Sequence, residues 1–359
     1  MAPPRTESNA KAALDFFLQL SKDELCESIT FSPINLAVAL KLLLSGARGH
    51  TAAELGKNAL DCECEKPEGV HNEFHKILAQ LDKQTTNYEL SFANQLYGDK
   101  SIAFIQPFLF CALKLYLTDI NGVDFHNAPE EVRRLINLWV EVQTHGKIKD
   151  LLPQVKDEIA CQIDLLLVNA LYFKGQWEVQ FDKKLTKESP LYLNERDCKT
   201  VKLMHYKMGT IEVSQVQARL EDIFTYEKLL EWTCETRLKV EEVEVAIPKI
   251  KIEKSILVLN FLEALGLNDV SDPEKADLSG ITTTEAVALS EIVHGAALEI
   301  NEDGGKEPPH CPREGHHVHQ ACVQFVADHP FLFFVLHNCS NSILFLGRFV
   351  KPKEKKDCH

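Results

Sequence analysis

The chain has 359 residues, of which 45% are hydrophobic and 26% are charged. This composition is typical of a globular protein and excludes a disordered or fibrous one. The net charge of −14 argues against nucleic acid as a partner, because an acidic surface repels phosphates.

Helical patterns dominate the first part of the chain. Ser32-Pro33 has the pattern of an N-cap followed by a proline in the first helical turn, and Gly146 is placed to cap a helix that ends near Thr144. Apolar residues at helical spacing predict helices over Ala10–Leu20, Ile34–Ser45, Thr51–Leu60, Glu68–Leu81, Pro107–Tyr116 and Pro129–Thr144.

Strand patterns become frequent later in the chain. Alternating or continuous apolar residues predict strands over Tyr88–Tyr97, Ile163–Phe173, Val240–Ile252, Glu291–Asn301, Phe331–Leu336 and Ile343–Phe349. A short helix over Leu257–Leu265 is predicted to end at Gly266. No repeat or linker divides the chain, so we predict one α+β domain over residues 1–359.

Cysteine usage and the first residues bear on the compartment. Eleven cysteines are scattered without a paired framework, which indicates free thiols in a reducing environment. The first residues lack the pattern of a secretion signal, and no apolar run is long enough to span a bilayer. We therefore predict a cytoplasmic protein with no membrane partner, and extracellular release by an unconventional route stays open.

Standard catalytic motifs are absent from the sequence. It contains no GxSxG elbow, no GxGxxG, no Walker A loop and no HExxH pair. We therefore expect neither enzymatic activity nor a cofactor.

One segment concentrates possible metal ligands. Their spacing matches no standard zinc motif, although imidazole and thiolate groups bind zinc and copper. The open alternatives are a metal-binding loop, a loop whose histidines respond to pH, and a polar loop that merely contains histidines. The residues concerned are His310, Cys311, His316, His317, His319 and Cys322.

Sequence blocks along nearly the whole chain resemble the serpin family, in the family's order. Ala327–Phe334 and Ser342–Phe349 resemble its C-terminal signature, and Asn169–Trp177 resembles a diagnostic strand. Glu299–Gly304 resembles the approach to the reactive-loop hinge, and Phe31–Pro33 resembles the start of the first core helix. The chain is most similar to the ovalbumin-like clade B branch, and its Glu-Asp-Gly-Gly hinge is similar to that of maspin, a non-inhibitory member.

The resemblance implies a single serpin-type domain with a helical N-terminal half, a large central sheet and a reactive loop exposed between about residues 301 and 326. It also implies a suicide-substrate mechanism. A protease cleaves the loop and forms an acyl-enzyme, and the hinge side of the loop then inserts into the main sheet as a new central strand. The partner would be a protein, which under this mechanism is a serine or cysteine protease, and the serpin would be a monomer.

The hinge departs from the inhibitory pattern of the family. Inhibitory serpins continue from the first hinge glycine with threonine and small residues. This chain continues with prolines and charged residues, and each amide that a proline lacks in a central strand costs about 1–3 kcal/mol. We therefore predict a non-inhibitory serpin that acts through protein contacts, with functional protease inhibition as the alternative. The hinge residues are Gly304, Gly305, Lys306, Glu307, Pro308 and Pro309, and Pro312 lies beyond them.

Two places in the loop are candidate cleavage sites. Counting from Gly304 by the family's usual spacing reaches Val318-His319. Arg313 is the only lysine or arginine between Lys306 and Ala327, and therefore suits a trypsin-like protease.

A second departure concerns the fold. After Val201–Met204 the chain passes Arg219 and continues directly into Thr225–Trp232. Serpins carry two further strands of their second sheet between these points, so about 40 residues are missing here. The loss of two central strands predicts exposed core on the neighbouring strands and a less stable fold.

Overall fold

The computed structural model describes most of the chain, over residues 4–24, 26–59, 75–81, 85–153, 163–213, 225, 227–228, 239–306, 323–340 and 342–351. None of the helices in these ranges is long and apolar enough to cross a membrane.

The described helices follow the predicted order. A π-helical turn over Leu55–Ala59 directly follows the helix Gly49–Glu54, so the predicted helix Thr51–Leu60 is split into two kinds of helix. Residues 68–74 of the predicted helix Glu68–Leu81 lie outside the described part of the chain. The helices are α1 Pro4–Asp23, α2 Pro33–Gly46, α3 Gly49–Glu54, α4 over residues 75–81, α5 Gln106–Tyr116, α6 Pro129–Gln143 and α7 Leu259–Ala264.

Local chemistry explains where two of these helices begin and end. The Ser32 hydroxyl accepts the amide of Asn35 at 3.3 Å, so the predicted N-cap of α2 is confirmed. After α6 the left-handed conformation is reached at His145, with φ 52, and continues at Gly146, with φ 74. The turn therefore begins one residue before the predicted glycine cap.

The strands are β1 Ile29–Phe31, β2 Tyr88–Asp99, β3 Asp119–Val123, β4 Leu165–Gly175, β5 Trp177–Val179, β6 Lys187–Tyr192, β7 Cys198–Val213, β8 Lys239–Pro248, β9 Ile250–Leu257, β10 Leu289–Ile300, β11 Gly304–Lys306, β12 Val323–Val326, β13 Phe331–His337 and β14 Ser342–Phe349. They form a main sheet of order β3-β2-β4-β10-β9, a four-stranded sheet β12-β8-β7-β6, a three-stranded sheet β1-β14-β13 and the pair β11-β5.

The predicted strand Val240–Ile252 is wrong as one element, because it is two strands in two sheets. β8 ends at Pro248 in the four-stranded sheet, and β9 begins at Ile250 in the main sheet. The apolar alternation continues across Lys249, so the pattern does not reveal the change of sheet. β9 also includes Leu257, which shortens the predicted helix to α7.

Apolar cores cover the main sheet on both faces. One core joins α1 and α2 to the sheets, and a second lies between the other face of the main sheet and α6. The first nine residues of β4 are buried, as predicted for Ile163–Phe173. Any strand placed beside β4 therefore has an apolar environment on both faces.

Candidate functional site

The parallel pairing of β4 with β10, here called the seam, is where the resemblance places loop insertion. Leu289–Glu299 pairs with Leu165–Lys174 along the seam, with one irregularity near Leu289. β10 ends at Ile300, and Asn301–Asp303, here called the hinge turn, connects it to β11. The chain therefore leaves the seam directly into the predicted hinge.

The hinge begins as a short strand outside the main sheet. Gly304 pairs with Trp177 and Lys306 with Val179, both in parallel with β5. The far side of the loop returns as β12, which pairs in parallel with β8. β11 and β12 thus hold the two ends of the loop, and residues 307–322 between them lie outside the described part.

The remaining predicted site residues lie outside the described part of the chain, so the structure does not test them. They are Glu307, Pro308, Pro309, His310, Cys311, Arg313, His316, His317, Val318, His319 and Cys322.

The two hinge glycines have different surroundings. A Cβ atom on Gly304 would lie 2.5 Å from the Cα of Gln180, so the close approach of the two backbones requires glycine. A Cβ atom on Gly305 would meet nothing closer than 3.8 Å. The second position therefore has room for a side chain such as the threonine of inhibitory serpins.

Glu302 is held in the hinge turn by a buried ion pair. Its carboxylate lies 2.7 Å from Lys249 Nζ and accepts the Thr186 hydroxyl at 2.9 Å, and only 5% of the residue is exposed. Burial opposes ionisation, but the hydrogen bonds from Lys249, from its own backbone amide and from Thr186 outweigh it, so the pKa of Glu302 lies below its ordinary value. The charged form is therefore the one that holds the turn.

Asp303 binds two lysines at the opening of the seam. Lys174 Nζ lies 3.0 Å and Lys183 Nζ 3.3 Å from its carboxylate. The Lys174 hydrogen bond is the main cause that lowers the pKa of Asp303. Lys174 belongs to β4, so this pair links the hinge turn to the strand that borders the seam.

Trp177 completes the support of the hinge turn. Its indole nitrogen donates to the Asn301 carbonyl at 2.8 Å, and its backbone amide donates to the Asp303 carbonyl at 3.0 Å. The ring packs edge-on against Phe181, with centroids 5.3 Å apart. The tryptophan thereby joins the start of β5 to the end of β10.

A buried polar cluster under the seam consists of Ser32, Asn35, Asn94, Asn169 and His294. The Ser32 amide donates to His294 Nε2 at 2.9 Å, so this nitrogen is the acceptor. His294 Nδ1 therefore carries the proton and faces Asn169 Oδ1 at 2.6 Å. The Asn169 amide donates to Asn94 Oδ1 at 2.7 Å and to the Asn35 carbonyl at 2.8 Å.

The cluster ties together the two strands that insertion must separate, because Asn169 lies on β4 and His294 on β10. Burial lowers the pKa of His294 to about 3, so the ring is neutral at neutral pH. The sequence interpretation noted the segments that carry Ser32 and Asn169 but missed the cluster. A histidine within the otherwise apolar stretch Ile292–Leu298 of β10 was the available signal.

One group of possible metal ligands occurs among the described residues, and it lies away from the loop. His50, Glu54 and Asp269 have ligand atoms within 4.8 Å of one another. His50 Nδ1 already bonds the Asp269 carboxylate at 2.5 Å, and Glu54 accepts the amides of Asn268 and Asp269. These contacts join α3 to the 3₁₀ turn Asp269–Ser271, a structural role that needs no ion.

The predicted deletion lies between β7 and β8. β7 pairs directly with β8, from Leu203 with Pro248 to Val213 with Lys239. The three-stranded sheet ends at β13, whose only strand partner in the described part is β14. All seven residues of β13 are partly exposed.

Known relatives cover almost the full length of the chain. The human (Homo sapiens) leukocyte elastase inhibitor is 36% identical over 384 residues, which include 97% of this chain and 99% of that protein. Human serpin B3 is 34% identical over 390 residues, with the same coverage. Both alignments are longer than the 359 residues of this chain, so gaps open within it.

Solved structures of other proteins also match this chain over almost its full length. Uncleaved ovalbumin superposes with a TM-score of 0.88 at 30% identity, over 97% of this chain and 100% of that one. Maspin superposes with a TM-score of 0.83 at 32% identity, over 97% and 99% of the two chains. The family model described as "Serpin (serine protease inhibitor)" matches residues 7–221 and 212–352, in two parts that meet where strands were predicted to be missing. The chain belongs to the serpin family, and its relatives are clade B serpins.

Proposed function

We propose that this serpin does not trap proteases and acts instead through contacts with a protein partner. The chain would act as one domain over residues 1–359, with the reactive loop at about 301–326. The observation that carries this proposal is the sequence from Gly305 to Pro312, set against the seam that it would have to enter.

Prolines oppose the insertion of this loop. A strand between β4 and β10 has neighbours on both sides, so each of its amides has a carbonyl to bond. Pro308, Pro309 and Pro312 have no amide to donate. At about 1–3 kcal/mol for each lost bond, the three together remove roughly 3–9 kcal/mol from the gain on insertion.

Side-chain burial opposes insertion as well. Lys306, Glu307 and His310 would enter a sheet whose central strand β4 is buried on both faces. Neither alternate set of side chains would reach solvent there, and an unpaired charge in an apolar core is strongly unfavourable. Slow insertion leaves time for hydrolysis of the acyl-enzyme, so the protease would release a cleaved serpin.

The contacts of the hinge turn favour the uninserted state further. Asp303 binds Lys174 on β4, and its neighbour Glu302 binds Lys249. The turn is thereby fixed in position at the opening of the seam. Its movement would have to keep or replace both ion pairs.

The second candidate function is inhibition of a serine-type endopeptidase. One relative is named leukocyte elastase inhibitor, and the space around Gly305 would accept the threonine of the inhibitory hinge. As a serpin, the chain is not itself a catalyst, so in this second candidate the protease would be the catalyst.

A panel of serine and cysteine proteases separates these two candidates. We expect a trypsin-like protease to cut after Arg313 and to stay fully active, with no covalent complex on a denaturing gel. A complex that survives the detergent would refute the non-inhibitory proposal. Human leukocyte elastase inhibitor with elastase is the positive control.

The histidine- and cysteine-rich segment and the cytoplasmic location remain predictions. Zinc titration followed by limited proteolysis tests the metal-binding alternative, since a bound ion would protect the segment 310–322 from cleavage. Unchanged cleavage at micromolar zinc would remove this alternative.

A further inference from the structure

Strand β13 presents an apolar edge. Phe331–Leu336 are all apolar, pack against the main core and are also partly exposed. By contrast, the paired strand β14 is buried at seven of its eight positions. Phe333 lies over β14, since a Cβ atom on Gly347 would be 2.6 Å from its ring.

Charged residues and prolines, which commonly protect an edge strand, are missing from β13, although its pairing with β14 has one irregularity between Val335 and Leu336. Natural proteins place lysines, other charges or prolines on such edges to prevent pairing with another chain. The sequence Phe331–His337 contains no aspartate, glutamate, lysine, arginine or proline. Its only ionisable side chain is His337, whose pKa burial lowers, so near neutral pH it does not supply the missing charge.

Among the described residues, β13 pairs with β14 on one side and with no strand on its other side. The family match changes from one part to the other at residues 212–221, and the alignments with relatives are longer than the chain. This place lies between β7 and β8. In the part of the chain that the structure describes, β13 is the last strand of its sheet.

We propose that β13 pairs with β13 of a second copy of this chain, in antiparallel orientation about a two-fold axis through Phe334. The axis places Phe331 opposite His337, Leu332 opposite Leu336 and Phe333 opposite Val335. The two three-stranded sheets then form one sheet of six strands, and each copy covers the edge of the other.

A second copy suits this edge better than a partner of another kind. The exposed strand carries no charge that would select an oppositely charged partner. Apolar cross-strand pairs stabilise antiparallel strands, and all pairs but one in this arrangement are apolar on both sides. A two-fold arrangement also pairs the two β13 edges with each other, so no β13 edge remains for further growth. The chain is then a dimer and not the monomer that the resemblance implies.

Light scattering coupled to size-exclusion chromatography tests the proposal on the full chain over a range of concentrations. We expect a monomer–dimer equilibrium. The variant Leu332→Lys should raise the dissociation constant at least tenfold, because it brings a charge into the paired edge. The matched control is Phe110→Lys, which replaces an apolar side chain, 65% exposed on α5, and should leave the equilibrium unchanged.

A competing peptide keeps the test decisive if Leu332→Lys does not fold. A peptide of residues 330–338 with added terminal lysines should occupy the edge and convert the dimer to the monomer, whereas the scrambled sequence should not. The proposal is overturned by a monomer at every concentration, by open-ended aggregates, by a dimer that the folded variant retains, or by a dimer that the peptide leaves intact.

Discussion

Gly304 and Gly305 are neighbours in the hinge, yet substitution should affect them differently. Gly304→Ala places a Cβ atom against the backbone of Gln180, so we expect a loss of about 1–3 kcal/mol in the free energy of unfolding. Gly305→Ala is the matched control and should change stability little, because its Cβ atom meets nothing closer than 3.8 Å. Urea denaturation measures both, and equal losses would contradict the hinge geometry.

His294 should make stability depend on pH. Its pKa is about 3 in the fold, against about 6.5 in the unfolded chain, so below pH 6.5 the unfolded chain binds the extra proton. This contribution to stability is complete above pH 6.5. It falls by about 1.4 kcal/mol per pH unit as the pH drops towards 3.

The variant His294→Gln should be less stable at pH 7 and should lose this part of the pH dependence. The free energy of unfolding is measured against pH for the unchanged chain and for His294→Gln. The difference between the two curves isolates the contribution of one group among the 14 histidines. The exposed His329→Gln is the control. If His294→Gln leaves the slope of the free energy of unfolding between pH 6.5 and 4 unchanged, the buried ring does not cause this pH dependence.

The polar cluster also contains a contact that could not be predicted from the sequence. Ser32 and His294 are 262 residues apart, and their bond exists only because the chain between β1 and α2 lies against β10. Local periodicity gives no information about such a contact. The N-cap role of Ser32 was predictable, because its partner Asn35 is three residues away.

At the scale of elements, periodicity predicted helices and strands well wherever one element has one environment. α2, α6, β4 and β10 lie close to their predicted bounds because each faces a core along its whole length. The prediction failed between β8 and β9, where the alternation continues while the chain changes sheets. Strands as short as β1 and β5, of three residues each, are too short for a pattern to develop.

The loop segment offers a gain-of-function prediction. The variant combines Gly305→Thr with Pro308→Ala, Pro309→Ala and Pro312→Ala. The alanines restore the missing amides, and the threonine is a residue type that the hinge has room to hold. We expect this variant to form detergent-stable complexes with a trypsin-like protease in a measurable fraction of encounters. Gly305→Thr alone is the control and should form none. Cleavage of the combined variant without any complex would contradict the prediction and show that removing the prolines is not sufficient for trapping.

At the scale of the whole molecule, the deletion was predictable because it removes recognisable family sequence. In the described part of the chain, the three-stranded sheet ends at β13. The sequence alone could not show which edge would be left open, since that depends on how distant strands pair. The deletion lies far from the hinge in sequence, so the non-inhibitory proposal and the dimer proposal can fail independently.

Thermal unfolding of the cleaved chain tests the central claim most directly, because an inserted loop adds a strand to the main sheet and must stabilise the fold. The intact chain and the chain cut after Arg313 are heated side by side, with human leukocyte elastase inhibitor cleaved in its own loop as reference. We predict the same unfolding temperature for the intact and cleaved forms of this serpin. A cleaved form that unfolds tens of degrees higher would contradict the claim that this loop stays out of the seam.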